Sequence, residues 1–318
     1  MAFLLLVIWF ILLIKGSHFF VSGASWLWKK FGIQQIVIGM TIVAFSTSAP
    51  EFVVSIIWSL KWENEIVFWN IMGSNIANIL LIIWLGTLIK PIFAKYNTRI
   101  IDIPFLLVTS ILILILWQDM VFEWGISSSI SRSDGIILLL FFTIFFYNVI
   151  RNSRVLKYEL TESTSNYTLL QLIGLTCWGL LMLIWWWELI IWNAITIGEY
   201  FGITERVIGI TIVALWTSLP ELTVCLVALY KKNKDIAIGN IVGSNIFNTL
   251  FILWSTALLH NIPLTENNVY DMIMNTIATS ILLRSFYIGK MRFLEKKDGI
   301  TMIILYVIYI WTLFLFLG

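Results

Sequence analysis

Charge is scarce in this chain: Asp, Glu, Lys and Arg together make up 12% of 318 residues, while 60% are hydrophobic. Soluble domains carry about 25% charged residues, so a water-exposed globular fold is excluded and the chain must live in a bilayer. Cysteine is limited to Cys177 and Cys225. Both fall in apolar runs, where each reads as a small buried hydrophobe, and a disulfide framework is excluded. Histidine is nearly absent, and His18 and His260 lack the close spacing of a zinc site. No H-E-x-x-H is present, and neither paired aspartates nor a G-x-S-x-G falls on an apolar run. An intramembrane enzyme therefore has no machinery here, and neither an enzymatic activity nor a cofactor is expected. The net charge of +2 leaves no basic footprint for nucleic acid once the cations are assigned to loops.

Apolar runs long enough to span about 30 Å of hydrocarbon are what the chain has in abundance. They fall at 1–21, 34–60, 66–89, 100–118, 134–150, 168–191, 204–229, 236–259, 271–288 and 299–317. The expected class is an all-α integral membrane protein of ten transmembrane helices. The first run lacks the charged start of a signal peptide and is expected to be retained as a helix.

Residues 9–88 repeat without a gap at an offset of 170. Ile38-Gly39-Met40-Thr41-Ile42-Val43-Ala44-Phe45-Ser46-Thr47-Ser48-Ala49-Pro50-Glu51 returns from Ile208 to Glu221, and Asn70-Ile71-Met72-Gly73-Ser74-Asn75-Ile76-Ala77-Asn78 returns from Asn240 to Asn248. Lys and Arg resist translocation, so loops rich in them stay cytoplasmic. Fifteen of them (Lys29, Lys30, Lys90, Lys95, Arg99, Arg151, Arg154, Lys157, Lys231, Lys232, Lys234, Lys290, Arg292, Lys296 and Lys297) lie in the loops after odd-numbered helices, against three (Lys61, Arg132 and Arg206) in the others. Both termini are thereby placed outside, in a cell or inner membrane. Five helices per half is an odd number, so the second half enters from the opposite side and the repeat is inverted. The halves are 1–150 and 168–318, joined by a polar cytoplasmic linker at 151–167.

Seventeen tryptophans are too many for an interfacial belt alone, and several fall inside predicted spans. The repeat aligns Trp9 with Gly179, Trp28 with Gly198, Trp69 with Gly239, and Trp186 with Gly16. Membrane helices approach closely through small residues, so these exchanges should overpack the contacts. We expect that the gene reads UGA as glycine and that glycine stands at most of these positions in the native protein.

The polar repeats are the candidate site. Pro50 and Pro220 remove a helix hydrogen bond at membrane depth. Glu51 precedes Asn78 by 27 residues, and Glu221 precedes Asn248 by the same interval. Each half thus offers a carboxylate and an amide on neighbouring helices, with Thr47, Ser48 and Ser74 in one and Thr217, Ser218 and Ser244 in the other. A Glu within a membrane span is retained mainly for function, and two at matched positions make a strong pair. Hard oxygens with two negative charges suit Ca²⁺ and also Na⁺. Asn75 and Asn245 are as suited to bonding between helices as to touching an ion. Gly39, Gly73, Gly209 and Gly243 read as packing and unwinding points.

On these motifs the chain resembles the sodium/calcium exchanger family of the cation/Ca²⁺ antiporter superfamily, whose duplicated regions carry G-T-S-x-P-E and G-N-x-x-G-S-N signatures. The resemblance covers nearly the whole chain. It implies an ion site between helices 2, 3, 7 and 8, built from Glu51, Asn78, Glu221 and Asn248 with Thr47, Ser48, Ser74, Thr217, Ser218 and Ser244 around them. The motif glycine is replaced by Ser46 and Trp216, and some members have Asp where this chain has Asn248. The implied function is exchange of Ca²⁺ for Na⁺ by alternating access, with helices 1 and 6 sliding, and the expected partners are those two ions and membrane lipid, in a monomer. A Ca²⁺/H⁺ antiporter, a K⁺-dependent Na⁺/Ca²⁺ exchanger and a cation channel are the alternatives. Expelling Ca²⁺ against a gradient of about ten-thousand-fold and about 100 mV costs roughly 10 kcal/mol, and each entering Na⁺ returns roughly 3.7. About three Na⁺ per Ca²⁺ suffice, and two do not.

Overall fold

The computed structural model describes residues 35–62, 64–118, 128–154, 214–287 and 293–316, with a few single positions and short runs between 15 and 23 and between 168 and 181. The expected span 1–21, most of 168–191, the start of 204–229 and the linker after residue 154 lie outside the described residues.

The second span is not one straight helix. α1 (Gln35–Ile38), a π-helical turn (Gly39–Val43) and α2 (Ala44–Thr47) lead to Ser48, after which α3 (Ala49–Leu60) leaves at 42°. Pro50 stands in the first turn of α3, where its missing N–H costs nothing to the new helix while preventing the old one from continuing. The same break recurs between α8 (Ala214–Thr217) and α9 (Leu219–Tyr230), with Pro220 in the first turn.

Between these broken helices stand two long ones. Asn64–Ile89 comprises α4 (Asn64–Ala77), a π-helical turn (Asn78–Ile82) and α5 (Ile83–Ile89). Lys234–Leu259 comprises α10 (Lys234–Ile246), a π-helical turn (Phe247–Ile252) and α11 (Leu253–Leu259). In each, 94% of an apolar 18-residue stretch is buried, against 22–39% for the other long apolar helices. They form the core, and the other long described helices form the wall. The wall contains a π-helical turn (Thr98–Asp102) running into α6 (Ile103–Leu116), α7 (Arg132–Arg154), α12 (Glu266–Tyr287) and α13 (Lys296–Phe316). Leu140, Ile144, Ile304 and Val307 are exposed on α7 and α13, as a face solvated by lipid tails permits.

Two short strand pairs close the ends. β1 (Ile92–Phe93) pairs antiparallel with β4 (Phe293–Leu294), and β2 (Ser129–Ile130) pairs with β3 (Ile262–Pro263). β3 is β1 displaced by 170 residues, and each pair joins the loop after a core helix to the start of a wall helix. α11 packs on α7 as α5 packs on α13. Two related halves, each lending its last helix to the other half's core, account for both pairings.

Glycine sets the closest helix crossing. A Cβ on Gly39 would lie 2.9 Å from the Ile236 carbonyl, one on Gly239 2.9 Å from the Ile36 carbonyl, and one on Gly243 2.7 Å from Met40 Cα. The first broken helix therefore rides directly on the backbone of α10. The counterpart of Gly239 is Trp69, which is buried with its indole N–H unpartnered. A second tryptophan stands where glycine is the usual residue: Trp62, just past the end of α3, has φ +67°, and its counterpart Lys232 has φ +64°. A left-handed residue after a helix end is most often Gly, and a bulky side chain there is a true outlier. The left-handed turn carries a non-glycine residue in both halves and so does not single out Trp62, which leaves the unpartnered Trp69 indole as the observation that bears on recoding. Trp9, Trp28 and Trp186 lie outside the described residues.

Candidate ion site

Where each half breaks its helix, the chain turns hydroxyls inward. Ser48 (φ −83°, ψ +6°) and Ser218 (φ −79°, ψ 0°) occupy the two breaks; Thr47 and Thr217 before them face the core helices, Ser48 and Ser218 lie by the glutamate of the opposite broken helix, and Glu51 and Glu221 begin the next segment. All ten expected residues (Thr47, Ser48, Glu51, Ser74, Asn78, Thr217, Ser218, Glu221, Ser244 and Asn248) are at most 1% exposed. The fold brings them to the crossing of the two broken helices with the two core helices. Asn78 opens the π-helical turn after α4, and Asn248 lies in the one after α10. Widened turns of this kind recur at functional sites because they re-aim side chains out of the helical register.

The contacts run between halves. Thr47 donates to Asn240 Oδ1 at 3.0 Å, and Thr217 donates to Asn70 Oδ1 at 3.3 Å. The Thr47 and Ser244 hydroxyls are 3.3 Å apart, and those of Thr217 and Ser74 are 3.2 Å apart. Asn78 donates to Asn245 Oδ1 at 2.9 Å, and Asn248 to Asn75 Oδ1 at 3.3 Å. Each first motif is thus held by the second motif of the other half. Asn70 and Asn240 were not among the residues expected to build the site, although both stand in the repeated stretch. Their signal was duplication, and nothing local separated a support from a ligand.

The carboxylates break the symmetry. Glu221 Oε1 accepts from Ser48 at 3.0 Å and from Ser244 at 3.3 Å. Glu51 lies within reach of the Thr217 and Ser218 hydroxyls and beside the Glu221 carboxylate, but neither of its oxygens makes a hydrogen bond of regular geometry. Glu221 Oε2, Asn78 Oδ1, Asn248 Oδ1 and Ser218 Oγ are likewise buried with no partner. Buried polar atoms are nearly always paired, and oxygens left without donors are what a cation replaces. Six such oxygens match the six to eight that Ca²⁺ takes. Among the described residues no three His, Cys, Asp or Glu side chains converge, so a cation held here would meet two carboxylates and neutral oxygens. Ser46 is buried and Trp216 half-buried beside these segments, and the structure gives no reason for Ser46 in place of the motif glycine.

Broken helices paired across an inverted repeat, with bare oxygens at their crossing, define a membrane cation transporter. The sodium/calcium exchanger protein family matches residues 1–151 and 171–315, and the chain belongs to it. Sodium/calcium exchanger MaX1 of Methanosarcina acetivorans is 30% identical, with 98% of each chain covered. Inner membrane protein YrbG of Escherichia coli is 32% identical over 80% of this chain and 79% of its own. The sodium-calcium exchanger NCX_Mj, soaked with 10 mM Na⁺ and zero Ca²⁺, superposes with a TM-score of 0.81 at 30% identity, covering 96% of this chain and 97% of that one. The family is one of transporters and not of enzymes, and the scaffold is that of a cation/Ca²⁺ antiporter.

Proposed function

We propose that this protein exchanges Ca²⁺ for Na⁺ by alternating access, with both ions competing for the oxygens of Glu51, Glu221, Asn78 and Asn248 and the hydroxyls of Thr47, Ser48, Ser74, Thr217, Ser218 and Ser244. One observation carries the reading: six buried oxygens, three of them from carboxylates, that make no hydrogen bond of regular geometry within the protein. At membrane depth a cation compensates such oxygens, as protons on the carboxylates or a buried water also can. The related exchangers MaX1 and NCX_Mj, named for sodium and calcium, support this choice of ions. The rest of the reading places both termini outside, the boundary between halves at the 151–167 linker, and a complete transport path in one monomer.

Proteoliposomes loaded with Na⁺ and diluted into Na⁺-free medium test it through ⁴⁵Ca²⁺ uptake, with Glu51→Gln and Glu221→Gln alongside. Uptake that needs internal Na⁺ and both carboxylates is expected. Uptake driven by a pH gradient without Na⁺ would assign proton coupling. Flux too fast for alternating access would assign a channel.

A further inference from the structure

An amide can face a cation with its oxygen or repel it with its NH₂, so a site that uses Asn must fix which end points inward. Asn78 and Asn248 both leave Oδ1 bare while their Nδ2 is engaged. In each case the acceptor is a second asparagine from the opposite half: Asn245 for Asn78, and Asn75 for Asn248. All four side chains are buried, none above 0% exposure. The direction of the first relay is forced from its far end. Asn245 Nδ2 donates to the backbone carbonyl of Asn75 at 3.1 Å, and a carbonyl can only accept. The oxygen of Asn245 must therefore face Asn78, and Asn78 must answer with its NH₂, turning its own oxygen away. The second relay ends on a hydroxyl, with Asn75 Nδ2 donating to Thr249 Oγ1 at 2.8 Å. The counterpart of Thr249 is Ile79, so the two relays are anchored differently.

We propose that Asn75 and Asn245 are positioning residues, which contact no transported ion and instead orient Asn248 and Asn78 so that oxygen faces the cation. The proposal rests on the exchange site described above. Because a hydroxyl can donate as well as accept, the Asn75 relay is the softer of the two, and the Asn245 relay is locked by the backbone.

Double-mutant cycles separate positioning from mere packing. The readouts are the KM and maximal rate of Na⁺-driven ⁴⁵Ca²⁺ uptake, and ⁴⁵Ca²⁺ binding to detergent-purified protein. Asn245→Ala should raise KM about three- to tenfold, the order of one buried hydrogen bond, with a smaller change in maximal rate. In an Asn78→Ala background it should add almost nothing, because the residue it orients is gone, while in an Asn248→Ala background its effect should persist in full. The Asn75→Ala cycle should show the reverse pairing and serves if Asn245→Ala does not fold. Equal effects in both backgrounds, or a lower melting temperature with unchanged KM, would overturn the proposal. If the wild-type protein shows no Na⁺-driven uptake, the exchange reading fails, and the binding cycles still decide the orienting role.

Discussion

Replacing Glu51 by Gln should make the ion-free protein more stable and the Ca²⁺-bound protein less stable than wild type. Glu51 is fully buried, makes no hydrogen bond of regular geometry, and lies beside the carboxylate of Glu221. A charged residue at membrane depth costs at least about 2.5 kcal/mol. Gln has the same shape without the charge, and its NH₂ can donate to the unpartnered Ser218 Oγ beside it. At a pH where Glu51 is ionised, the ion-free variant should therefore gain up to about 2 kcal/mol, or about 4 °C in melting temperature at roughly 2 °C per kcal/mol, and less where Glu51 holds a proton. Ca²⁺ reverses the order. At about one hundred times its Kd a ligand stabilises the folded state by about 2.7 kcal/mol, which wild type receives and the variant does not. Thermal unfolding in detergent, in chelator and in saturating Ca²⁺, should show the two curves exchanging places. A variant that melts below wild type in chelator and is still raised by Ca²⁺ would refute the assignment of Glu51 as a bare ligand.

Gly243→Ala should lower stability by about 1–3 kcal/mol and reduce exchange, because the new Cβ would meet Met40 Cα, Met40 O and Ala44 Cβ at 2.7–2.8 Å. Gly174→Ala, which meets nothing within 4 Å, is the control in the same melting assay. Protons and Ca²⁺ need the same Glu51 and Glu221 oxygens, so the KM for Ca²⁺ uptake should rise as pH falls from 8 to 6, and a KM independent of pH would contradict competition. Trp62→Gly should raise the melting temperature, because Trp62 is 73% exposed and gives up little packing while relief of its left-handed backbone is worth about 1 kcal/mol. Its stack on His260, with ring centroids 3.6 Å apart, offsets part of that gain. Peptide sequencing of the native protein should find glycine at 69 and 216, and tryptophan at both would end the recoding argument.

Most of the scaffold was legible because a bilayer imposes blunt rules. Apolar length marked 66–89 and 236–259 within two residues of the observed helices Asn64–Ile89 and Lys234–Leu259. The prolines anticipated a freed backbone, and the breaks fall at Ser48 and Ser218, two residues before Pro50 and Pro220. The π-helical turns at Asn78–Ile82 and Phe247–Ile252 could not be read. An inserted residue in a helix that is apolar on nearly every side leaves no mark on a hydrophobic pattern. The partners of Asn75 and Asn245 were equally hidden, since an amide in a motif looks the same whether it touches an ion or another amide.

The sequence by itself determined that this chain is membrane-embedded, that it is built twice, and that two carboxylates must meet a matching set of amides and hydroxyls. Those properties follow from hydropathy, loop charge and repetition, all of which are local or additive along the chain. Only the tertiary structure decided which oxygens are bare. That depends on how closely α10 approaches the first broken helix at Gly39, Gly239 and Gly243, and so on whether Ser48 reaches Glu221 and Asn245 reaches Asn78. Such contacts join residues more than 160 positions apart, and a shift of one ångström at the crossing makes or breaks them.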